Sequence, residues 1–206
     1  GTVIAASFSV AITNFIKASD EIDKMSKRTG LGVETLQELK YAADITGTSI
    51  GDLEIGIKMM QNAITDAANG SKSAIEKFDK LGINFEKIKN LSPEQQFMVV
   101  ADAISKIQDP TERAAMAVDM FGRSGTQLLP LLEGGASGIQ KLRDEAHIFG
   151  KVLDEETISK TVDLKDNIER LQYSFNALWS EISVNMLPIV EDLVKRIQSV
   201  ISDVRN

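Results

Sequence analysis

Ser92–Phe121 reads SPEQQFMVVADAISKIQDPTERAAMAVDMF, and this stretch decides the fold class because it holds two helix starts in succession. Ser92 precedes Pro93 with Gln95 three residues on, and Asp109 precedes Pro110 with Glu112 three residues on. A side-chain oxygen just before a helix accepts an N–H that the first turn leaves unpaired, and a Glu or Gln three residues later can return the bond. Proline at the first helical position loses nothing, because its missing N–H would have had no partner there. The spacing predicts helices over about Pro93–Ile107 and Pro110–Phe121.

The same punctuation recurs on the N-terminal side. A first helix is expected over about Val3–Arg28, with Val3, Ile4, Phe8, Ile12, Phe15, Ile22 and Met25 on its apolar side and Gly30 and Gly32 ending it. A second, over about Val33–Ile45, presents Leu36, Leu39 and Ala43, and Gly47 with Thr48 breaks the chain behind it. Ser49 then opens a third, with Asp52 as an acidic variant of the returning partner and Ile50, Leu53, Ile57, Met60 and Ile64 at steps of three or four, until Asn69 and Gly70 stop it. Ser71 begins a short helix to about Leu81, and Gly82 leads into a cluster of Phe85, Ile88 and Leu91. Glycine followed by a new helix occurs from Gly32 to Leu36, Gly47 to Leu53 and Gly82 to Ile88, but the unequal lengths describe recurrent turn chemistry and not a solenoid repeat.

On the C-terminal side a helix is expected over Gly138–Phe149, and from about Asp154 the pattern changes. Ile158, Val162, Ile168, Leu171, Phe175, Leu178, Ile182, Met186, Ile189, Leu193, Ile197, Val200 and Val204 form a stripe whose core steps alternate three and four. A continuous helix there would span roughly 75–80 Å, and Pro188 is expected to kink it. The stripe resembles a heptad seam, through which copies of the chain would self-associate; folding back onto the preceding helices is the alternative. The expected architecture is therefore all-α: a long N-terminal helix over 1–30, a multi-helix domain over 31–153 and a long helix of coiled-coil-like pattern over 154–206.

Composition allows a substantial core and narrows the partners. Of 206 residues 43% are hydrophobic and 26% charged, and the net charge of −7 argues against a basic nucleic-acid surface, so no direct nucleic-acid binding is expected. The absence of Cys excludes disulfides and thiolate metal sites. The most apolar stretch, Thr2–Ile16, is interrupted by Ser7, Ser9, Thr13 and Asn14, and resembles neither a membrane span nor a signal peptide. A start at Gly1 without Met and an end inside a helical pattern at Asn206 suggest a piece of a longer polypeptide.

An inventory of reactive groups favours a non-enzymatic reading. His147 is the single histidine, so a two-histidine zinc site and a Cys–His pair are excluded, and a Ser–His–Asp triad would have to be built on a residue expected at a helix surface. There is no Gly-x-Ser-x-Gly, phosphate-binding loop or Ser-x-x-Lys. Glu54 and Asp119 are nominal general acids without a partner or cleft, and the acidic runs Asp20, Glu21, Asp23 and Asp154, Glu155, Glu156 lack the spacing and central glycine of a calcium loop. Trp179, beside Phe175 and Leu178, is read as a helix-contact residue. No catalytic residue, cofactor or metal is expected.

One stretch asks for more than helix chemistry. Phe121–Leu132 reads FGRSGTQLLPLL: an aromatic helix end, a Gly-x-x-Gly turn and a short Leu-Leu-Pro-Leu-Leu helix. Gly122 and Gly125 would permit a tight turn, Ser124 would cap the next start, and Leu128, Leu129, Leu131 and Leu132 would anchor it. The segment, with Phe121, Gly122, Arg123, Ser124, Gly125, Leu128, Pro130, Leu131 and Leu132 as its defining positions, resembles the signature of tape measure proteins of long-tailed phages and prophages. DEIDKMSKRTGLGVETLQELKYAADITGTSIGDL over Asp20–Leu53 and LSPEQQFMVVADAISKIQDPTERAAMAVDMFG over Leu91–Gly122 are similar to the stretches that precede it in that family, in the same order. The resemblance covers roughly Ala18–Leu153, and the C-terminal stripe is similar in character only.

The resemblance implies a long helical protein in the lumen of the growing tail, whose chain length sets tail length and which leaves ahead of the DNA. It implies tail tube, tail tip and tail-assembly chaperone proteins as partners, and a location in the virion after assembly in the host cytoplasm. Two alternatives stand beside it. A helical coiled-coil scaffold unrelated to phage shares the composition but gives no reason for FGRSGTQLLPLL, and a cell-wall hydrolase module requires a catalytic constellation that the sequence does not display.

Overall fold

The computed structural model describes residues 2–174, 176 and 177, with side chains from Thr13 onward. It is all-α, with no strand among the described residues. The helices are α1 (Thr2–Thr29), α2 (Val33–Thr46), α3 (Ile50–Ala68), α4 (Lys72–Lys80), α5 (Phe85–Ile88), α6 (Pro93–Ser105), α7 (Pro110–Phe121), α8 (Gly125–Leu132) and α9 (Gly135–Ile148), with a 3₁₀ turn over Gly122–Ser124 between α7 and α8. The backbone is helical again over 155–174. The expected packing of Val3, Ile4, Phe8 and Ile12 lies outside the described residues, as do Phe175, Leu178, Trp179, Ile182, Met186, Ile189, Leu193, Ile197, Val200 and Val204 and the expected kink at Pro188.

Local chemistry sets the helix ends. Ser92 forms the full capping box, its hydroxyl accepting from the Gln95 N–H at 3.3 Å while the Gln95 side-chain carbonyl accepts from the Ser92 N–H at 3.1 Å. Asp109 accepts from the Glu112 N–H at 2.8 Å. At Ser49 the hydroxyl accepts from the Asp52 N–H at 3.0 Å and donates to the Asp52 carboxylate at 2.6 Å, so the acidic variant closes on the hydroxyl instead of the backbone. Asn84, not expected as a helix start, caps the single turn of α5. Gly47, at φ 77° and ψ 19°, ends α2 in the left-handed conformation that glycine adopts without penalty.

The chain divides into two units, Gly1–Lys160 and Thr161–Asn206. In the first, α3 is the central element and packs against α1, α2, α4, α6, α7 and α8. Its stripe of Leu53, Ile57 and Met60 is buried, and so are Leu36 and Leu39 of α2, Phe97, Val100 and Ile104 of α6, and Phe121 at the end of α7. Phe97 and Phe121 meet with ring centroids 5.9 Å apart at 58°, and Phe78 and Phe85 join α4 to α5 at 5.4 Å. Burying a large apolar side chain contributes about 1.5–3 kcal/mol, which makes this shared core the main source of stability. Among the described residues every buried side-chain polar atom has a hydrogen-bond partner.

Several boundaries differ from the sequence expectation. The helix expected from Gly138 begins at Gly135, whose φ of 59° lets the backbone turn where a Cβ would stand 2.5 Å from the Ser105 hydroxyl. Ile158, grouped by pattern with the C-terminal stripe, is buried in the core of the first unit. Phe15, expected on the packed side of α1, is 45% exposed. In the second unit Leu164, Ile168 and Leu171 recur at steps of four and three on exposed helix, Leu171 at 70% exposure.

Candidate functional site

The FGRSGTQLLPLL stretch forms the corner between α7 and α8, against α3. Phe121 is fully buried. Gly122 follows at φ 64° and ψ −150°, a region that is essentially reserved for glycine. A Cβ on it would also stand 3.1 Å from Met59 Cγ on α3. Arg123 is exposed at the corner. Leu128, Leu131 and Leu132 are buried, Leu129 is half-buried, and Pro130 faces solvent within α8.

Two expected roles are corrected here. Ser124 does not cap α8: its backbone is helical, at φ −69° and ψ −17°, and its side chain makes no cap hydrogen bond. A capping residue needs extended backbone; here the 3₁₀ turn runs directly into the helix, and the Gly125 N–H bonds to the Gly122 carbonyl. Gly125 does not serve the turn through its torsions, since φ −53° and ψ −41° suit any residue. Its requirement is steric: a Cβ there would lie 2.2 Å from the Ala117 carbonyl oxygen and 2.6 Å from the Val118 nitrogen. The start of α8 thus rests on the backbone of α7.

Gly56, in the middle of α3, completes the corner, because a Cβ there would stand 2.6 Å from Leu128 Cδ1. Its sequence signal is a glycine inside an otherwise strong helical stripe, which costs about 1 kcal/mol relative to alanine and so points to a close contact. Buried Thr48 adds a polar tie, its hydroxyl donating to the Gln127 carbonyl at 3.2 Å.

Two charged clusters fasten other helices. The Arg28 guanidinium grips the Glu54 carboxylate through Nε at 2.6 Å and a second nitrogen at 2.9 Å, and Lys58 Nζ approaches the same carboxylate at 2.7 Å. The hydrogen bond from Arg28 holds the Glu54 carboxyl below its ordinary range, against a smaller opposing effect of burial, with Lys58 reinforcing it. A general acid working near neutrality needs the opposite shift. Asp119, the other nominal general acid, accepts through its backbone carbonyl from Lys77 Nζ at 3.0 Å.

The second cluster joins α2, α6 and α9. Arg143 bonds Glu38 at 2.6 Å and Glu94 at 2.7 Å, His147 Nε2 lies 2.6 Å from the other Glu38 oxygen, and Thr35 donates to Glu94 at 3.1 Å. Burial opposes the Arg143 cation, yet Glu38 and Glu94 outweigh it and raise its pKa. The His147 side chain is 53% exposed, so the expected surface position holds with a partner that the sequence did not reveal. Next to Glu38, Gln37 clasps the chain after α9, donating to the Leu153 carbonyl at 2.8 Å and accepting from its N–H at 2.9 Å.

An apolar groove of about 540 Å³ runs between α1, α2 and the 150–158 stretch. Phe15, Ile22, Tyr41, Ile45, Leu153 and Ile158 line it, and Lys40 and Asp44 pair at 2.9 Å on its rim. Phe149 packs against Tyr41 with ring centroids 6.3 Å apart and the rings tilted by 36°. Burial raises the Tyr41 pKa, with a further contribution from nearby Glu145. Phe15 and Ile45 (58% exposed) leave apolar surface open at the groove, a feature shared by docking surfaces and ligand-binding clefts. Among the described residues no helix is long and apolar enough to cross a membrane. No family model, no curated protein and no solved structure matches this chain.

Proposed function

We propose that this chain is a structural, non-catalytic segment of a tape measure protein from a long-tailed phage or prophage. The observation that carries the reading is FGRSGTQLLPLL, preceded in order by the blocks over 20–53 and 91–122. Geometry adds weight to the motif, because Gly122 is required by its torsions and Gly125 by its approach to Ala117. The string therefore describes a constrained corner and not a chance run of small and apolar residues. In this reading the protein occupies the tail lumen, the tube assembles around it, and its length fixes the length of the tail. Tube, tip and assembly-chaperone proteins are its partners, and it leaves the tail before the genome.

The all-helical fold suits this role and equally suits a helical scaffold of non-phage origin, which the open apolar groove would favour. That alternative leaves the motif unexplained. The two readings part in the phage that encodes the chain. Peptides from it should be found by mass spectrometry in purified tailed virions, and disruption of its gene should leave filled heads without tails. Normal tails from the disrupted phage would rule the proposal out. The non-catalytic part is tested by incubating the purified chain with peptidoglycan, where no soluble fragments are expected; release abolished by a single carboxylate substitution would establish a hydrolase instead.

A further inference from the structure

We draw no further inference here: the strongest candidate, the apolar groove between α1, α2 and the 150–158 stretch with Phe15, Tyr41 and Ile45 open along it, is an unpartnered face, and nothing in the structure shows what covers it.

Discussion

Gly125 and Gly138 both sit in helical backbone, yet a methyl group added at each meets different surroundings. At Gly125 it meets the α7 backbone at 2.2 Å, and at Gly138 it meets nothing within 4 Å. Gly125→Ala should therefore lower unfolding stability by about 3 kcal/mol, near the upper end for overpacking, because a backbone cannot step aside as a side chain can. Gly138→Ala should raise it by about 0.5–1 kcal/mol through the lower conformational freedom of the unfolded chain. Urea denaturation of both variants measures the contrast, and equal midpoints would refute the close approach. The importance of Gly125 was legible in the sequence but its reason was not, since spacing alone does not separate a turn glycine from one that lets two helices touch. The role of Ser124 is hidden for a related reason: its residue type suggests a cap, but the continuous 3₁₀ turn removes the extended backbone that a cap requires.

Glu54 gives a residue-scale prediction in pH. Its folded pKa is depressed below the ordinary 4.5, so between the two values the unfolded chain binds more protons and stability rises with pH. The contribution is fully present above the ordinary value and is lost as pH falls through the depressed one. Thermal unfolding from pH 6 downward should show a shallower acid-side loss in Glu54→Gln than in the parent chain. The difference should be modest, because the Arg28 side chain is 45% exposed and solvent screens the pair. Parallel acid limbs would show that the pair contributes no pH dependence.

At the scale of elements, helix ends were the most legible feature, because caps at Ser49, Ser92 and Asp109 act within three residues of themselves. Partner choice was not legible. The bond that fastens α9 to α2 joins Glu38 to Arg143, 105 residues apart, and nothing local announces it. Both side chains are nearly buried, at 10% and 12% exposure, so removing Arg143 leaves the Glu38 carboxylate to the half-exposed His147 alone of the cluster. Arg143→Ala should cost about 2–3 kcal/mol, somewhat less than breaking a fully buried pair, whereas replacing Glu38 and Arg143 together by leucine should recover most of the loss. Chemical denaturation of the single and double variants decides this; a double variant as unstable as the single would mean that helix contacts, and not the uncompensated charge, set the cost. The groove was also hidden from sequence, because Phe15 obeys the same apolar period as its buried neighbours Ile22 and Met25.

At the scale of the molecule, the described chain is a set of helices packed on α3 in one unit and a helical stretch in another, and the proposed role rests on converting residues into distance. The all-α class was legible because apolar periodicity and caps agree along the chain, a local consistency that global topology does not have to supply. The direct measurement is tail length, by electron microscopy, in phages carrying in-frame deletions within residues 161–206, which leave the first unit intact. A deletion of roughly 28 residues should shorten tails by about 42 Å, at about 1.5 Å per residue, with smaller deletions in proportion. Tails of unchanged length on virions that still contain the shortened protein would contradict the account.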